Sequence, residues 1–112
     1  MRLEAKKYLE DMRQAAANIR EFTKDKDWND YAGDALLKSG VERQFEIIGE
    51  ALAGLVKIEP KAADTISNYK RIIAFRNILI HGYTIVDDRV VWNIVQNNLP
   101  VLEREIKSLL ES

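Results

Sequence analysis

YKRIIAFRNILI, running from Tyr69 to Ile80, would be apolar on nearly every side of a helix, with only Lys70, Arg71, Arg76 and Asn77 breaking the pattern. A helix of that kind has to be buried all round. In a small bundle this is easiest when one face meets the chain's own core and another meets a second subunit, so the stretch predicts both a bundle and a dimer. Gly82 comes directly after the last turn and is expected to stop the helix in the left-handed conformation that glycine adopts most easily. Upstream, Pro60 is placed to end one helical region and open the next.

Reading outward, Leu37, Val41, Phe45, Ile48, Leu52 and Leu55 form a second stripe at spacings of three and four, which predicts a long helix over about Tyr31 to Lys57. Gly40, Gly49 and Gly54 lie within it. Each costs on the order of 1 kcal/mol relative to alanine in a helix, so their presence implies that another backbone approaches closely. A first helix from Leu3 to Phe22 carries Tyr8, Met12, Ala15, Ile19 and Phe22 on one face. Between these two helices, Thr23 to Asp30 (TKDKDWND) reads as a polar loop, with Asp30 placed to cap the second of them. Asp87 or Asp88 caps a fourth helix carrying Val91, Ile94 and Val95, and Asn98 with Pro100 opens a fifth with Leu102, Ile106 and Leu109. No alternating strand pattern, repeat or low-complexity tract interrupts the series. The expectation is an all-α, up-and-down bundle of four to five helices, forming one domain over residues 1–112.

Composition narrows the class. The 112 residues can close one hydrophobic core, and the absence of cysteine removes thiol nucleophiles, disulfides and cysteine zinc sites. No apolar run approaches the roughly 20 residues that span a bilayer, and the first residues have no secretory pattern, so a soluble cytoplasmic protein is expected. Seventeen basic against eighteen acidic side chains give a net charge of -1, which weighs against a nucleic-acid partner. Screening over about 8 to 10 Å nevertheless leaves room for a local positive cleft.

Chemistry concentrates in Arg76 to Tyr83, RNILIHGY, which holds the only histidine of the chain five residues after an arginine. At about 100 degrees per residue, Asn77 and His81 share a face, while Arg76 sits about 140 degrees from His81. Either the arginine reaches around, or the last turn loosens and swings the imidazole toward it. Such a pair suits metal-free RNA cleavage, in which the ribose 2′-hydroxyl attacks the neighbouring phosphorus and the 5′-oxygen leaves. Histidine takes or gives the proton, arginine holds phosphoryl oxygens as charge develops, and Asn77 can orient either group. One histidine does not easily serve as both base and acid, whereas a two-fold dimer would bring two copies of His81 into one cleft. The ordinary alternative is a capping or core histidine with a solvated arginine as its neighbour.

The whole string RNILIHGY resembles the R-x4-H signature of the HEPN superfamily, in the R-N-x-x-x-H-x-Y form of HepT-like toxins. Val41 to Leu52 (VERQFEIIGEAL) resembles the family's helix-two block, and Val90 to Trp92 (VVW) with the NNLPVL from Asn97 resembles its carboxy-terminal part. The resemblance implies a metal-independent, homodimeric endoribonuclease toxin without cofactor. Its system would be of type II/VII-like character, the partner a minimal nucleotidyltransferase antitoxin. It places the catalytic arginine on Arg76, the catalytic histidine on His81 and the polar supporting residue on Asn77. Tyr83 takes the position that the antitoxin can adenylylate, so neutralisation would proceed by occlusion or by modification. A second reading is a noncatalytic helical module that partners a nucleotidyltransferase and presents it with a nucleotide or substrate.

Other features carry less. Glu42, Glu46 and Glu50 recur every four residues and read as a solvated or cation-facing stripe rather than metal ligands. Lys70, Arg71 and Arg89 either supply positive potential to an RNA backbone or are plain surface charge. Trp28, Tyr31 and Trp92 read as core anchors rather than base-stacking groups.

Overall fold

Apolar residues at helical spacing build a bundle whose order is α1 (Leu3–Thr23), α2 (Trp28–Ala32), α3 (Ala35–Ile58), α4 (Pro60–Asp64), α5 (Tyr69–His81), α6 (Asp88–Asn97) and α7 (Leu99–Glu111). A short 3-10 turn, Tyr83–Ile85, lies between α5 and α6. The computed structural model describes residues 1–112 apart from the side chain of Tyr83. Among the described residues there is no strand, and no helix is long and apolar enough to cross a membrane.

The five long helices are those expected, and two further helices of five residues each lie in the connections between them. The segment read as a loop before the second helix contains the start of α2. Asp27 is its N-cap and accepts from the Asp30 backbone N–H at 2.9 Å, while the Asp30 carboxylate accepts from the Asp27 N–H at 3.0 Å. This reciprocal arrangement satisfies two backbone donors that a helix start otherwise leaves open. Asp30 therefore belongs to the first turn of α2, and the cap of α3 is Asp34, which accepts from the Leu37 N–H at 3.0 Å. Pro60 stands in the first turn of α4, and Asp87 caps α6 by accepting from the Arg89 N–H, both as the sequence predicts.

The core lies chiefly between α1 and α3, closed by α7, which packs on α1 and α6. Leu9, Met12, Ala16 and Ile19 from α1 meet Val41, Ile48, Leu52 and Leu55 from α3, with Leu99, Leu102 and Ile106 of α7 alongside. All are buried, and burying each large aliphatic side chain contributes roughly 1.5 to 3 kcal/mol before the entropy of ordering the chain is set against it. The two tryptophans and Tyr31 behave as core anchors. Tyr31 is fully buried and stacks on Trp92 with ring centroids 5.2 Å apart, joining α2 to α6.

Two polar links fix where α5 and α6 begin. Ahead of α5, Asn68 takes a left-handed backbone (φ 59), a conformation that asparagine tolerates better than most residues. Beside it, Ser67 donates its N–H and its hydroxyl to the Glu105 carboxylate of α7, at 3.0 and 2.7 Å. At the start of α6, Lys38 of α3 donates to Asp88 at 3.1 Å, and the Arg89 guanidinium lies 4.0 Å above the Trp28 ring.

Candidate active site

α5 is divided lengthwise by its packing on α3. Ile72, Phe75, Arg76 and Leu79 recur at the spacing of one helical face, and none of the four is exposed. Phe75 meets Phe45 edge to face with centroids 5.5 Å apart, and Leu79 is buried. Ala74, Asn77, Ile78 and His81 form another stripe, and all four are exposed. The expectation that this helix is buried all round is corrected for the single chain, since Leu79 is its only buried residue among the described residues. The reason is that α5 rests mainly on α3 and leaves the face carrying His81 uncovered.

Arg76 thus occupies a packing position. A Cβ built on Gly49 of α3 would stand 2.3 Å from the Arg76 Cβ and 2.6 Å from its Cγ, so the arginine stem fills the space that glycine leaves. The Arg76 Nε is buried without a hydrogen-bond partner among the described residues. Its guanidinium is therefore held near the α3 surface by its stem rather than by an ion pair within the chain. His81 ends α5 in regular helical geometry, with the Gly82 N–H donating to Ile78 O at 2.8 Å. The last turn has not loosened to bring the imidazole to the arginine, and no hydrogen bond joins the two within one chain. Asn77 and His81 do share a face, as the spacing predicts. The Tyr83 side chain lies outside the described residues.

Gly82 is not left-handed, which corrects the expected stop signal: its φ is -119°. The chain runs on from it into the 3-10 turn, where the Ile85 N–H donates to Gly82 O at 2.9 Å. A Cβ at Gly82 would meet Ile78 O and Ile85 Cγ1 at 3.4 Å, about ordinary contact distance, so neither handedness nor lack of space demands glycine here. The turn leaves Ile85 73% exposed, and Ile78 is 41% exposed on the face carrying His81.

The three glycines expected to admit a neighbouring backbone admit side chains instead. Gly49 receives Arg76 and Gly54 receives the Tyr8 ring, whereas Gly40 meets Phe22 at an ordinary 3.5 Å. The sequence marked these positions but could not say what lay opposite. It also missed the fate of Glu42, which is half-buried rather than part of a solvated stripe. Burial, then the Asp88 and Glu46 carboxylates, push its carboxyl above the usual range against the opposing pull of Lys38. Nearby, burial and the same Glu42 and Asp88 charges raise the Tyr31 phenol, whose oxygen also finds no partner among the described residues. Glu46 lies 4.0 Å from Arg43, and Glu50 is exposed. Of the basic residues near the motif, Arg89 is occupied over Trp28, Lys70 lies 5.9 Å above the Tyr69 ring, and Arg71 lines a cavity between α5 and α7.

A family model described as ribonuclease HepT-like matches residues 12–109, from the middle of α1 to near the end of α7, and includes all of Arg76 to Tyr83. The chain belongs to the HepT-like ribonuclease family. A Methanocaldococcus jannaschii protein provisionally named RNase MJ1380 is 32% identical over 104 residues, covering 93% of this chain and 94% of its own. A Thermococcus cleftensis protein provisionally named ribonuclease HepT is 33% identical over 97% of this chain and 98% of its own. Another relative, from Caldanaerobacter subterraneus and provisionally named RNase TTE0752, is 33% identical over 93% and 92%. No solved structure matches the chain. As a HepT-like ribonuclease of the HEPN type, the protein has the all-α bundle of that class, and α5 is the helix that carries the R-x4-H pattern.

Proposed function

We propose that this HepT-like ribonuclease cuts cellular RNA without a metal ion, at a composite site to which two copies of the chain contribute Arg76 and His81. One observation carries the reading. α5 turns Arg76 toward α3 and leaves His81 on an exposed face beside exposed Ile78, with the exposed Ile85 following in the next turn. Apolar residues flanking an exposed histidine are what a second copy would cover, and a two-fold axis there would set two imidazoles in one cleft.

In that cleft one His81 takes the proton from the ribose 2′-hydroxyl as its oxygen attacks phosphorus. The 5′-oxygen leaves with a proton from the other His81, and the phosphate remains as a 2′,3′-cyclic ester. Arg76 holds the non-bridging oxygens as charge builds on them, and Asn77, on the same face as His81, orients the substrate or the imidazole. Residues 1–112 act as one HepT-like domain, in the cytoplasm, as the toxin of a type II/VII-like pair. Its antitoxin is a minimal nucleotidyltransferase that occludes the cleft or adenylylates Tyr83. An adenylyl group two residues from His81 would bring a negative charge that competes with substrate phosphate for Arg76.

The test is incubation of the purified protein with total RNA in excess EDTA, beside Arg76→Ala and His81→Ala variants matched for folding and dimerisation. Cleavage by the wild type alone supports the site. Equal cleavage by either variant removes that residue from it, and no cleavage by any form with Tyr83 unmodified favours the noncatalytic module.

A further inference from the structure

We infer that Gly49 is the positioning residue of Arg76, a seat on α3 that fixes where the arginine's side chain leaves the helix pair. The inference rests on the reading of Arg76 as a phosphate-holding residue. Three observations meet at one point. Gly49 is buried in the middle of α3, where a glycine weakens a helix, so something other than helix formation accounts for it. The atoms that would collide with a Cβ there are the Arg76 Cβ at 2.3 Å and Cγ at 2.6 Å, the first two atoms of the stem rather than its flexible end. And the Arg76 Nε, next but one along that stem, is buried without a partner among the described residues.

An arginine has four rotatable side-chain bonds, and its charged end ordinarily ranges over several ångströms. Here no ion pair or hydrogen bond within the described residues limits it. What limits it is packing: the stem is pressed onto the bare backbone at Gly49, its Nε is buried, and only the part beyond Nε remains to reach a phosphate. A methyl group on Gly49 could not be accommodated by a side-chain rotation, because the Cβ of residue 76 is set by the backbone of α5. The helix itself would have to move away from α3 and carry the guanidinium with it.

Gly54 supplies the control within the same helix. A Cβ there would lie 2.4 Å from Tyr8 Cζ, an equally close collision, but with the end of a ring on α1 and on another face of α3. The experiment compares Gly49→Ala, Gly54→Ala and Arg76→Ala in the full-length protein, by thermal melting, RNA affinity and single-turnover cleavage at saturating RNA.

The expected result is that Gly49→Ala cleaves on the order of 100-fold more slowly while still folded and binding RNA, since an ångström of misplacement has an effect of that size. Gly54→Ala melts earlier yet cleaves at the wild-type rate. Adding Gly49→Ala to Arg76→Gly, which removes the colliding Cβ, lowers the rate no further than Arg76→Gly alone. Equal rates for the Gly49→Ala and Gly54→Ala proteins, with Arg76→Ala inactive, would overturn the seat alone; full activity in Arg76→Ala would overturn the reading beneath it. If Gly49→Ala does not fold, Arg76→Gly is added. The nearest α5 atom is then Cα at 3.6 Å, an ordinary contact, so folding returns if the arginine stem is what Gly49 admits. A double variant that stays unfolded would overturn the inference.

Discussion

Replacing Tyr31 by phenylalanine should make the protein more stable. Tyr31 is fully buried between α2, α3 and α6, its ring stacks on Trp92, and its hydroxyl has no hydrogen-bond partner among the described residues. A buried hydroxyl left unpaired costs about 1 to 3 kcal/mol, because its bonds to water in the unfolded chain are lost and nothing replaces them. Phenylalanine keeps the ring, its stacking and its volume while removing that cost. Taking the low end, about 1 kcal/mol corresponds to a rise of about 4 °C in Tm for a domain of this size. The assay is thermal and urea unfolding of both proteins at pH 7, where an unchanged urea slope shows that the unfolded states are comparable. A Tm at or below that of the wild type would refute the reasoning, since it would mean that the hydroxyl is paired in solution. Glu42 is the acceptor such a result would point to, and Tyr31→Phe in a Glu42→Gln background would test the pairing directly.

Glu42 itself gives a pH-dependent prediction. Its folded-state pKa is raised by burial and by Asp88 and Glu46, with Lys38 opposing and the Tyr31 phenol close by. The folded protein therefore holds this proton more tightly than the unfolded chain, and the associated stability is present at acid pH and lost as pH rises through the folded pKa. Glu42→Gln should accordingly raise Tm at pH 7 and not at pH well below the ordinary value of 4.5; an equal gain at both would sink the argument. Just past the proposed catalytic segment, Ile85→Asp should leave the monomer's Tm unchanged, because the residue is 73% exposed, yet abolish dimer and cleavage together by size-exclusion and RNA assays. Asp27→Ala should remove the cap of α2 and cost about 0.5 to 2 kcal/mol in urea unfolding, with RNA cleavage unaffected.

The long helices were legible because each carries an apolar stripe of several turns, and periodicity accumulates with length. Leu37, Val41, Phe45, Ile48, Leu52 and Leu55 all point inward as their spacing requires. α2 was hidden by its brevity and composition: within TKDKDWND the charges outweighed the one cue, an aspartate three residues ahead of another before Tyr31. Gly82 was misjudged because a left-handed stop is the commonest use of glycine there, whereas the conformation of this one is set by a turn that the sequence does not announce. For the site, the angle between Arg76 and His81 follows from helix geometry alone. That Arg76 would lie among the packing residues does not, since it depends on which part of α3 comes to rest against α5, and only a tertiary contact determines that.

α7 packs against α1, joining the last long helix of the sequence to the first. The motif segment is synthesised before Leu99, Leu102 and Ile106, so a chain still on the ribosome carries Arg76 and His81 while its core lacks one wall. Domains generally fold as units. Translation that stops between residues 83 and 99 therefore yields a polypeptide with every motif residue and no bundle to hold them, and nuclease competence is deferred until synthesis of the closing helix.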